Sequence, residues 1–422
     1  MTSLFEAAHR VSLLRILGVG SWELGVHAQP SPKPVVLYTG GVLGLYVHVP
    51  FCAAICNYCN FNRGLFDEPL KARYVSAVLE EIAAAAGDSD DAAPADTIFF
   101  GGGTPSLLEP AEIAAIVDRC RTSFAVSPTA EVTLEANPET VTTERLKAFR
   151  DAGVNRLSFG VQSFQDADLQ RLGRLHSASR AREAVAMARA AGFENISLDL
   201  MMWLPQQSIA GWLGSVDELI AVRPDHASLY LLELYPNAPL RNAMTRGGWA
   251  QASDDDAADM YLEAMARLDA AGYEQYEISN VSRPGRQSVH NIKYWTEGEW
   301  LGFGPGAHST RNGIRWRNLS STSDYVTAVG TGKAPVAERR ILSRQDALEE
   351  ALFTRLRLVR GLDLSLVQSE YGVDVWEQFG EALQPFVESG LLIYDGAGLR
   401  LTRSGMLLAN EIMAVFIGSR VR

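Results

Sequence analysis

The sequence predicts an α/β protein built on a partial barrel of six β/α units, about three quarters of a TIM barrel, followed by an α+β domain. Two observations predict it. From Gly44 onward, short apolar runs rich in β-branched residues alternate with longer amphipathic stretches, as in a parallel sheet covered by helices. Near the carboxyl terminus, helical patterns precede the hairpin-like run LLIYDGAGLRLT and a closing helix that starts near Thr402. This order is typical of a winged helix.

The predicted strands of the barrel are six short apolar runs, at residues 45–49, 97–100, 131–135, 156–160, 196–201 and 227–231. The Ala- and Leu-rich stretches between them predict helices at residues 72–86, 110–120, 142–152 and 178–191. Gly192 follows the last of these helices and suits its C-cap. Later in the chain, Ser253 is expected to cap a helix whose first turn is acidic, where the helix dipole favours negative charge.

We expect four segments along the chain. Residues 41–245 form the barrel, residues 246–335 form a connecting segment, and residues 336–422 form the winged-helix-like domain. Residues 1–40 are apolar and mildly basic but lack the cleavage site of a targeting peptide. We expect them to be a disordered extension or the product of a start codon placed too early.

Composition excludes several classes of function. A net charge of −12 argues against a general nucleic-acid or anionic-membrane surface, which would need a basic face. No apolar run reaches the roughly 18 residues of a membrane-spanning helix. Acidic residues also outnumber basic ones in the winged-helix-like domain, which favours a packing or lid role over DNA binding. The four cysteines suit a reducing compartment, so we expect a cytoplasmic protein.

Three cysteines lie within eight residues, at Cys52, Cys56 and Cys59. A 4Fe-4S cluster is normally held by four thiolates, so three would leave one iron open to an exchangeable ligand. A disulfide framework does not fit an odd local count whose other partner is the distant Cys120. A zinc site would need a fourth ligand, and the strand that carries His48 should hold it away from the cysteine loop.

Polar residues and glycines follow the predicted strands, at the edge where barrels of this kind carry their chemistry. Glycines 101–103 allow backbone to approach a ligand closely, although a tight turn would also use them. Glu135, Gln162 and Asp199 lie at or near the ends of later strands. Arg174 suits a carboxylate because its guanidinium binds one through two hydrogen bonds, although most single arginines form surface salt bridges.

A set of motifs from about residue 43 onward resembles the radical S-adenosylmethionine (SAM) superfamily, and more narrowly the family of oxygen-independent coproporphyrinogen III oxidases. The motifs are YVHVPFC, GGGTPS, EANPE, RLSFGVQSF, GRLH, LDLMMWLP, YEISN, HNIKYW and LGFGPGAHS. Two features resemble the heme-chaperone branch of that family. Phe61 stands where the oxidases have a fourth cysteine, and HNIKYW at residues 290–295 is similar to the heme-binding signature of the branch.

The resemblance implies a 4Fe-4S cluster on the three cysteines, with SAM chelating the fourth iron. It implies SAM contacts from nine residues: Tyr46, Tyr58, Gly102, Gly103, Thr104, Glu135, Gln162, Arg174 and Asp199. It implies heme contacts from His290, Asn291, Tyr294 and Trp295, with His290 as the axial ligand and the aromatic faces stacking on the porphyrin. A lone histidine among aromatic residues is also typical of a hydrogen-bonded core residue, and no residue is assigned a catalytic role.

The expected function is that of a chaperone that binds heme and passes it to an acceptor protein, whose identity the sequence does not give and which would provide any peripheral contact with a membrane. The alternative is an oxidase that cleaves SAM to a 5′-deoxyadenosyl radical, which takes hydrogen from propionate side chains of coproporphyrinogen III. A winged-helix regulator is disfavoured by charge. The family motif G-L-P-G-Q-T reads WLPQQS at residues 203–208, and the bulk of Trp203 is expected to narrow the barrel mouth.

Overall fold

One twelve-stranded sheet dominates the computed structural model, which describes residues 41–86, 93–236 and 238–417 of the 422-residue chain. The expectation for residues 1–40 lies outside the described residues. Within the described ranges, no helix has the length and apolar character needed to cross a membrane.

The strands in chain order are β1 (Leu43–Val49), β2 (Phe51–Cys52), β3 (Gly64–Leu65), β4 (Pro94–Gly102), β5 (Ala125–Ala136), β6 (Arg156–Gln162), β7 (Ile196–Met202), β8 (His226–Leu231), β9 (Glu274–Glu277), β10 (Asn280–Ser282), β11 (Trp300–Phe303), β12 (His308–Arg311), β13 (Ile314–Asn318), β14 (Val336–Ile341), β15 (Leu362–Asp363), β16 (Leu392–Tyr394) and β17 (Gly398–Leu401).

The helices in chain order are α1 (Glu68–Ala85), α2 (Pro110–Ser123), α3 (Thr143–Asp151), α4 (Asp166–Leu172), α5 (Ala178–Ala190), α6 (Ile209–Val222), α7 (Pro239–Gly247), α8 (Asp254–Ala270), α9 (Val289–Trp295), α10 (Thr322–Gly330), α11 (Arg344–Arg355), α12 (Leu364–Tyr371), α13 (Val375–Glu388), α14 (Arg403–Met406) and α15 (Ala409–Ala414).

The six predicted barrel strands are confirmed, since each lies within one of the strands β1 and β4–β8. These six strands are parallel neighbours in chain order, joined through helices, as the α/β pattern predicts. The four predicted helices match α1, α2, α3 and α5 to within a few residues, and Ser253 caps α8 as expected.

Side chains alternate in character along the barrel strands. In β5, Val132 and Leu134 join the large apolar core, while Thr133 and Glu135 point the opposite way. In β6, Leu157 and Phe159 belong to the core, while Arg156 and Ser158 alternate with them. We call the space faced by this second, polar set of side chains from β1 and β4–β8 the lumen. The helices therefore cover an apolar outer surface, and the inner surface is polar and largely buried.

The sheet continues beyond the six barrel strands on both edges. Next to β8 lie β10 and then β9, both antiparallel. Next to β1 lies β11, which is parallel to it, followed by the antiparallel strands β12, β13 and β14. Most of these strands come from the predicted connecting segment, and each has only three to six residues. Such short strands give almost no periodic signal in a sequence.

The carboxyl-terminal region contains helices α11 to α15 and a three-stranded sheet in the order β15, β17, β16. The predicted hairpin is β16–β17, and Thr402 caps the helix that follows it. This region packs against the connecting segment through ion pairs of Arg357 with Glu277 in β9 and of Arg403 with Asp269 in α8. The expected packing or lid role of this region stays a prediction.

The departure from the family motif at residues 203–208 has a conformational consequence. Trp203 and Gln206 have φ angles of +60° and +62°, in the left-handed region, and they stand where the family motif has glycine. The indole of Trp203 lies in the apolar core and donates a 2.8 Å hydrogen bond to the carbonyl oxygen of Ala252. The side chain thus points into the core, and the expectation that it narrows the barrel mouth is wrong.

We predict that Gln206→Gly stabilises the protein by about 1 kcal/mol, because the left-handed conformation costs a side-chain-bearing residue about 1–2 kcal/mol. The side chain of Gln206 is exposed, and its backbone N–H bond to Ala250 survives the change. Gln170→Gly in α4 is the matched control, because it should destabilise by about 0.5–1 kcal/mol. Thermal unfolding that shows the same sign of change in both variants would contradict the argument.

Candidate functional site

The cysteine loop is held between two short strands. Cys52 ends β2, which pairs in parallel with β3 on the far side of the loop. A turn places the N–H of Cys59 3.2 Å from the carbonyl oxygen of Cys56. The three thiols are free, and burial raises the pKa values of Cys52 and Cys59. Because metals bind thiolates, loading this loop with metal must release protons.

The three cysteines fit a cluster better than a single ion. In the described part of the chain, no three His, Cys, Asp or Glu side chains are arranged around one metal position. Each cysteine of a 4Fe-4S cluster binds a different iron, so the three sulfurs need not converge on one point. His48 is not free to add a ligand, because its ring nitrogens lie 2.7 Å from the carbonyl oxygen of Asn62 and 3.0 Å from the hydroxyl of Tyr46.

A chain of hydrogen bonds joins two of the cysteines through the ends of three strands. Arg174 donates to the sulfur of Cys56 at 3.5 Å and to Oδ1 of Asn137 at 2.7 Å. Asn137 donates to the hydroxyl of Thr104 at 3.1 Å, and Thr104 donates to the sulfur of Cys52 at 3.7 Å. The thiolates, Thr104 and Arg174 are thereby fixed relative to one another before any cofactor binds.

Two glycines beside this chain of hydrogen bonds are needed for different reasons. A Cβ on Gly103 would lie 2.6 Å from the carbonyl oxygen of Phe51, a backbone atom that cannot move aside. Gly102 has a φ of +111°, which side-chain-bearing residues rarely adopt. The close approach that Gly103 allows is therefore to the cysteine-bearing strand of the same chain, and it brings Thr104 against Cys52.

Glu135 and Asp199 lie across the top of the lumen. Burial and, to a smaller extent, the nearby charge of Asp199 raise the pKa of Glu135 to about 8, while the hydrogen bond that Glu135 accepts from the N–H of Gly102 at 3.1 Å acts to lower it. Burial also raises the pKa of Asp199, to about 6. Near pH 7, Glu135 is thus mostly protonated and Asp199 mostly ionised. Gln162 sits at the end of β6 with a strained φ of +68°.

The residues present fit SAM on one structural observation in particular. The Nε of Arg174 is buried and has no hydrogen-bond partner, while both Nη atoms are already bonded within the protein. A carboxylate such as that of SAM would satisfy this donor. Tyr58 lies near Arg174, Cys56 and Cys59. Burial raises the pKa of its hydroxyl, Arg174 acts to lower it, and the two cysteines raise it.

The structure brings most of the predicted SAM contacts together at the carboxyl ends of the barrel strands, but the HNIKYW motif lies elsewhere. It forms α9, whose first N–H groups donate to Glu131 at the start of the paired part of β5. His290 reaches Thr97, near the start of β4, with 2.8 Å between Nδ1 and the hydroxyl oxygen. The motif therefore closes the amino-terminal end of the barrel. The rings of Tyr46 and Phe99 stack on His290, between the motif and the predicted SAM contacts.

His290 is well packed in this position. It is 1% exposed, and its Nε2 lies 2.8 Å from the hydroxyl of Tyr294. Burial lowers its pKa to about 3, with the charge of Lys293 adding to the effect, so the imidazole is neutral at any working pH. Neutral imidazole is the form that binds metals, but both ring nitrogens are occupied by hydrogen bonds here.

Trp295 of the motif contacts the carboxyl-terminal region. The guanidinium of Arg357 lies over the indole of Trp295, 4.2 Å from the ring centre, and the Nε1 of Trp295 is buried without a hydrogen-bond partner. The backbone N–H of Asn291 is bonded to Ser288 at the start of the helix. The tryptophan therefore has a structural role that the sequence alone did not indicate.

Sequence reasoning missed two residues of the site. Asn137 was not among the predicted site residues, but it bridges Arg174 and Thr104. Its position two residues after Glu135, on the same side of the chain, was an available signal. Arg156 was assigned no role, yet it is buried in the lumen; its alternation with Ser158 along a strand was the signal.

Two family models and several known proteins match this chain. Residues 46–219 match the Radical SAM superfamily model, and residues 342–408 match the HemN C-terminal domain model. The chain is 40% identical over 381 residues to the heme chaperone HemW of Escherichia coli strain K12, covering 89% of this chain and 98% of the relative. It is 34% identical over 377 residues to HemW of Bacillus subtilis strain 168, covering 88% and 98%.

This chain belongs to the HemW family of radical SAM proteins. A solved structure of the coproporphyrinogen III oxidase HemN from Escherichia coli, described as a radical SAM enzyme, superposes with a TM-score of 0.80 over 90% of this chain and 91% of that chain. Its identity to this chain is 24%, so the likeness confirms the fold alone.

We predict that Cys56→Ala prevents cluster assembly, while Cys120→Ala leaves it intact. Anaerobic reconstitution of the wild-type HemW-family chain should give about four irons and four sulfides per chain. Cys120 is the matched control because it is buried in α2 and burial raises its pKa to about 12, which makes it an inert thiol. Zinc in place of iron, or a full cluster in the Cys56 variant, would refute the site.

We predict that Arg174→Lys weakens SAM binding about tenfold to a hundredfold while the cluster survives. A lysine offers one point of charge, and it cannot serve Gly160, Asn137, Cys56 and a carboxylate together. Arg171→Lys is the control, since Arg171 pairs with Asp168 on the neighbouring helix turn. Calorimetric titration with SAM that gives equal affinities for both variants would return Arg174 to a purely structural role.

Proposed function

We propose that the chain is a heme chaperone that carries a 4Fe-4S cluster and exchangeable SAM, holds heme, and transfers it to an acceptor protein. The observation that carries the proposal is the combination of a three-cysteine loop, in which Phe61 stands in place of a further cysteine, with similarity to heme chaperones along nearly the whole chain. The acceptor is not identified by the sequence. The free cysteines and the oxygen-sensitive cluster support a cytoplasmic location.

Each part of the proposed cofactor site has a separate task. Cys52, Cys56 and Cys59 would hold three irons of the cluster and leave the fourth for SAM. Arg174 would bind the SAM carboxylate through its unpartnered Nε, and Asn137 keeps it in that orientation. Glu135 and Asp199 are placed to bind hydroxyl or amino groups of SAM. When bound, the cluster and SAM supply redox chemistry, and the residues around them bind and orient.

For heme, we propose that His290 is the axial ligand, with Tyr294 and Trp295 next to it. The neutral state of the imidazole supports this role, because no proton has to leave before iron binds. The hydrogen bond between Nε2 and Tyr294 opposes it, since iron can bind Nε2 only after that bond breaks. Heme binding would therefore require α9 to move or Tyr294 to turn away, and the cost of breaking this bond would be subtracted from the affinity.

We predict opposite effects of two changes in this pair on hemin affinity. His290→Ala should weaken binding and shift the Soret band, because an axial ligand sets the electronic state of the iron. Tyr294→Phe should strengthen binding about fivefold, because a hydrogen bond worth about 1 kcal/mol no longer has to break. Titration of the reconstituted protein with hemin, followed in the Soret region, measures both effects. His308→Ala is the control, since His308 is exposed on β12.

The same experiment separates the proposal from its alternative. Suppose that His290→Ala binds hemin with wild-type affinity and spectrum, and that the wild-type protein converts coproporphyrinogen III to protoporphyrinogen under anaerobic reducing conditions. The oxidase function would then replace the chaperone function. Unchanged hemin binding without that conversion would refute the assignment of His290 alone.

A further inference from the structure

The lumen wall contains a buried arginine that forms no ion pair with a described residue. Arg156, at the start of β6, is 2% exposed and is one of the largest fully buried side chains. Its Nε has no hydrogen-bond partner, and no described residue meets its guanidinium in a hydrogen bond or an ion pair. Burying a guanidinium without a partner is costly, so such a group is a candidate for binding a ligand.

A second unpartnered donor lies beside it. Thr133 is the register partner of Arg156 on the neighbouring strand β5, so the two side chains stand next to each other on the lumen face. Thr133 is fully buried, and its hydroxyl also has no hydrogen-bond partner. A native protein leaves few buried polar atoms unsatisfied, and two adjacent ones on an inner wall point to a missing acceptor.

The surrounding groups do not supply that acceptor. The positive charge of Arg156 acts to lower the pKa values of Glu135 and Asp199 above it and of His226 and His290 on the other side. Burial keeps Glu135 mostly protonated near pH 7, and both histidines are neutral. Asp199 is the one ionised neighbour in this group, and it accepts from Ser158 at 3.5 Å. The site therefore suits a small anion with two acceptor oxygens.

We propose that Arg156 and Thr133 form a carboxylate-binding subsite in the lumen, and that it takes a propionate group of the tetrapyrrole bound by the protein. The choice of a tetrapyrrole rests on the proposed function, whereas the choice of a carboxylate rests on the two unpartnered donors. A guanidinium and a neighbouring hydroxyl can together bind both oxygens of a carboxylate. The subsite lies between the cofactor residues at one end of the barrel and His290 at the other.

The test compares hemin with hemin dimethyl ester, in which both propionates are blocked, on the cluster-reconstituted full-length protein. Arg156→Gln should weaken hemin binding about tenfold to a hundredfold, as expected for a lost charge-assisted hydrogen bond. Arg156→Lys should recover part of this loss. The ester should bind the wild-type protein more weakly than hemin does, and Arg156→Gln should not weaken it further.

Thr133→Val distinguishes ligand binding by Thr133 from a purely structural role. Valine has the same shape and suits a strand, and the hydroxyl that it removes has no partner in the protein. The melting temperature should therefore stay the same or rise, while the affinity for hemin falls severalfold. This variant keeps the proposal testable even if Arg156→Gln does not fold.

Two results would overturn the subsite. One is wild-type affinity for hemin in both Arg156→Gln and Thr133→Val. The other is an equal loss of hemin and ester binding in Arg156→Gln, which would make Arg156 a structural counter-charge to Asp199. If the wild-type protein binds no hemin, the proposed function fails separately. The subsite is then judged with coproporphyrin III and its tetramethyl ester, and equal affinities for that pair would reject it.

Discussion

Both faces of a parallel sheet must be buried, and this constraint shapes the rest of the molecule. The outer face meets it with Leu, Val, Ile and Phe side chains packed under the helices. The inner face meets it with polar groups, which are stable in a closed lumen only when they find partners. Where partners exist, as between Ser197 and His226 at 2.8 Å, the lumen is structural. Where they are missing, as at Arg156, the proposed ligand would supply them.

The same constraint separates the two regions that the sequence motifs mark. All six barrel strands run in one direction. Their carboxyl ends therefore lie at one end of the barrel, where the cysteine loop, Thr104, Asn137 and Arg174 meet. Their amino ends are closed by α9, which carries the HNIKYW motif. Heme bound at His290 and a cluster bound at the cysteines would thus lie at opposite ends of the lumen. The stacked rings of Tyr46, Phe99 and His290 lie along the path between them.

The sequence allowed the barrel to be predicted well because each of its strands is a compact apolar run between long amphipathic helices. It did not reveal β9 to β14, since a strand of three residues such as β10 has no measurable period. It named Thr104 and Arg174 as candidate site residues but not Asn137, because a bridge between two strand ends exists only once the strands are neighbours. The left-handed backbone at Trp203 and Gln206 was also hidden, since glycine is the residue that normally reveals it.

The HNIKYW motif combines a proposed heme-binding role with a structural role on one helix. Trp295 packs under Arg357, and Arg357 also forms an ion pair with the fully buried Glu277 of β9. This arrangement joins α9, the sheet edge and the carboxyl-terminal region, so the tryptophan would be needed whether or not heme binds. Tyr294 likewise satisfies His290 within the fold. Few groups of the motif are therefore left without a partner within the fold. A heme role requires iron to replace the Tyr294 hydroxyl as the partner of Nε2 of His290.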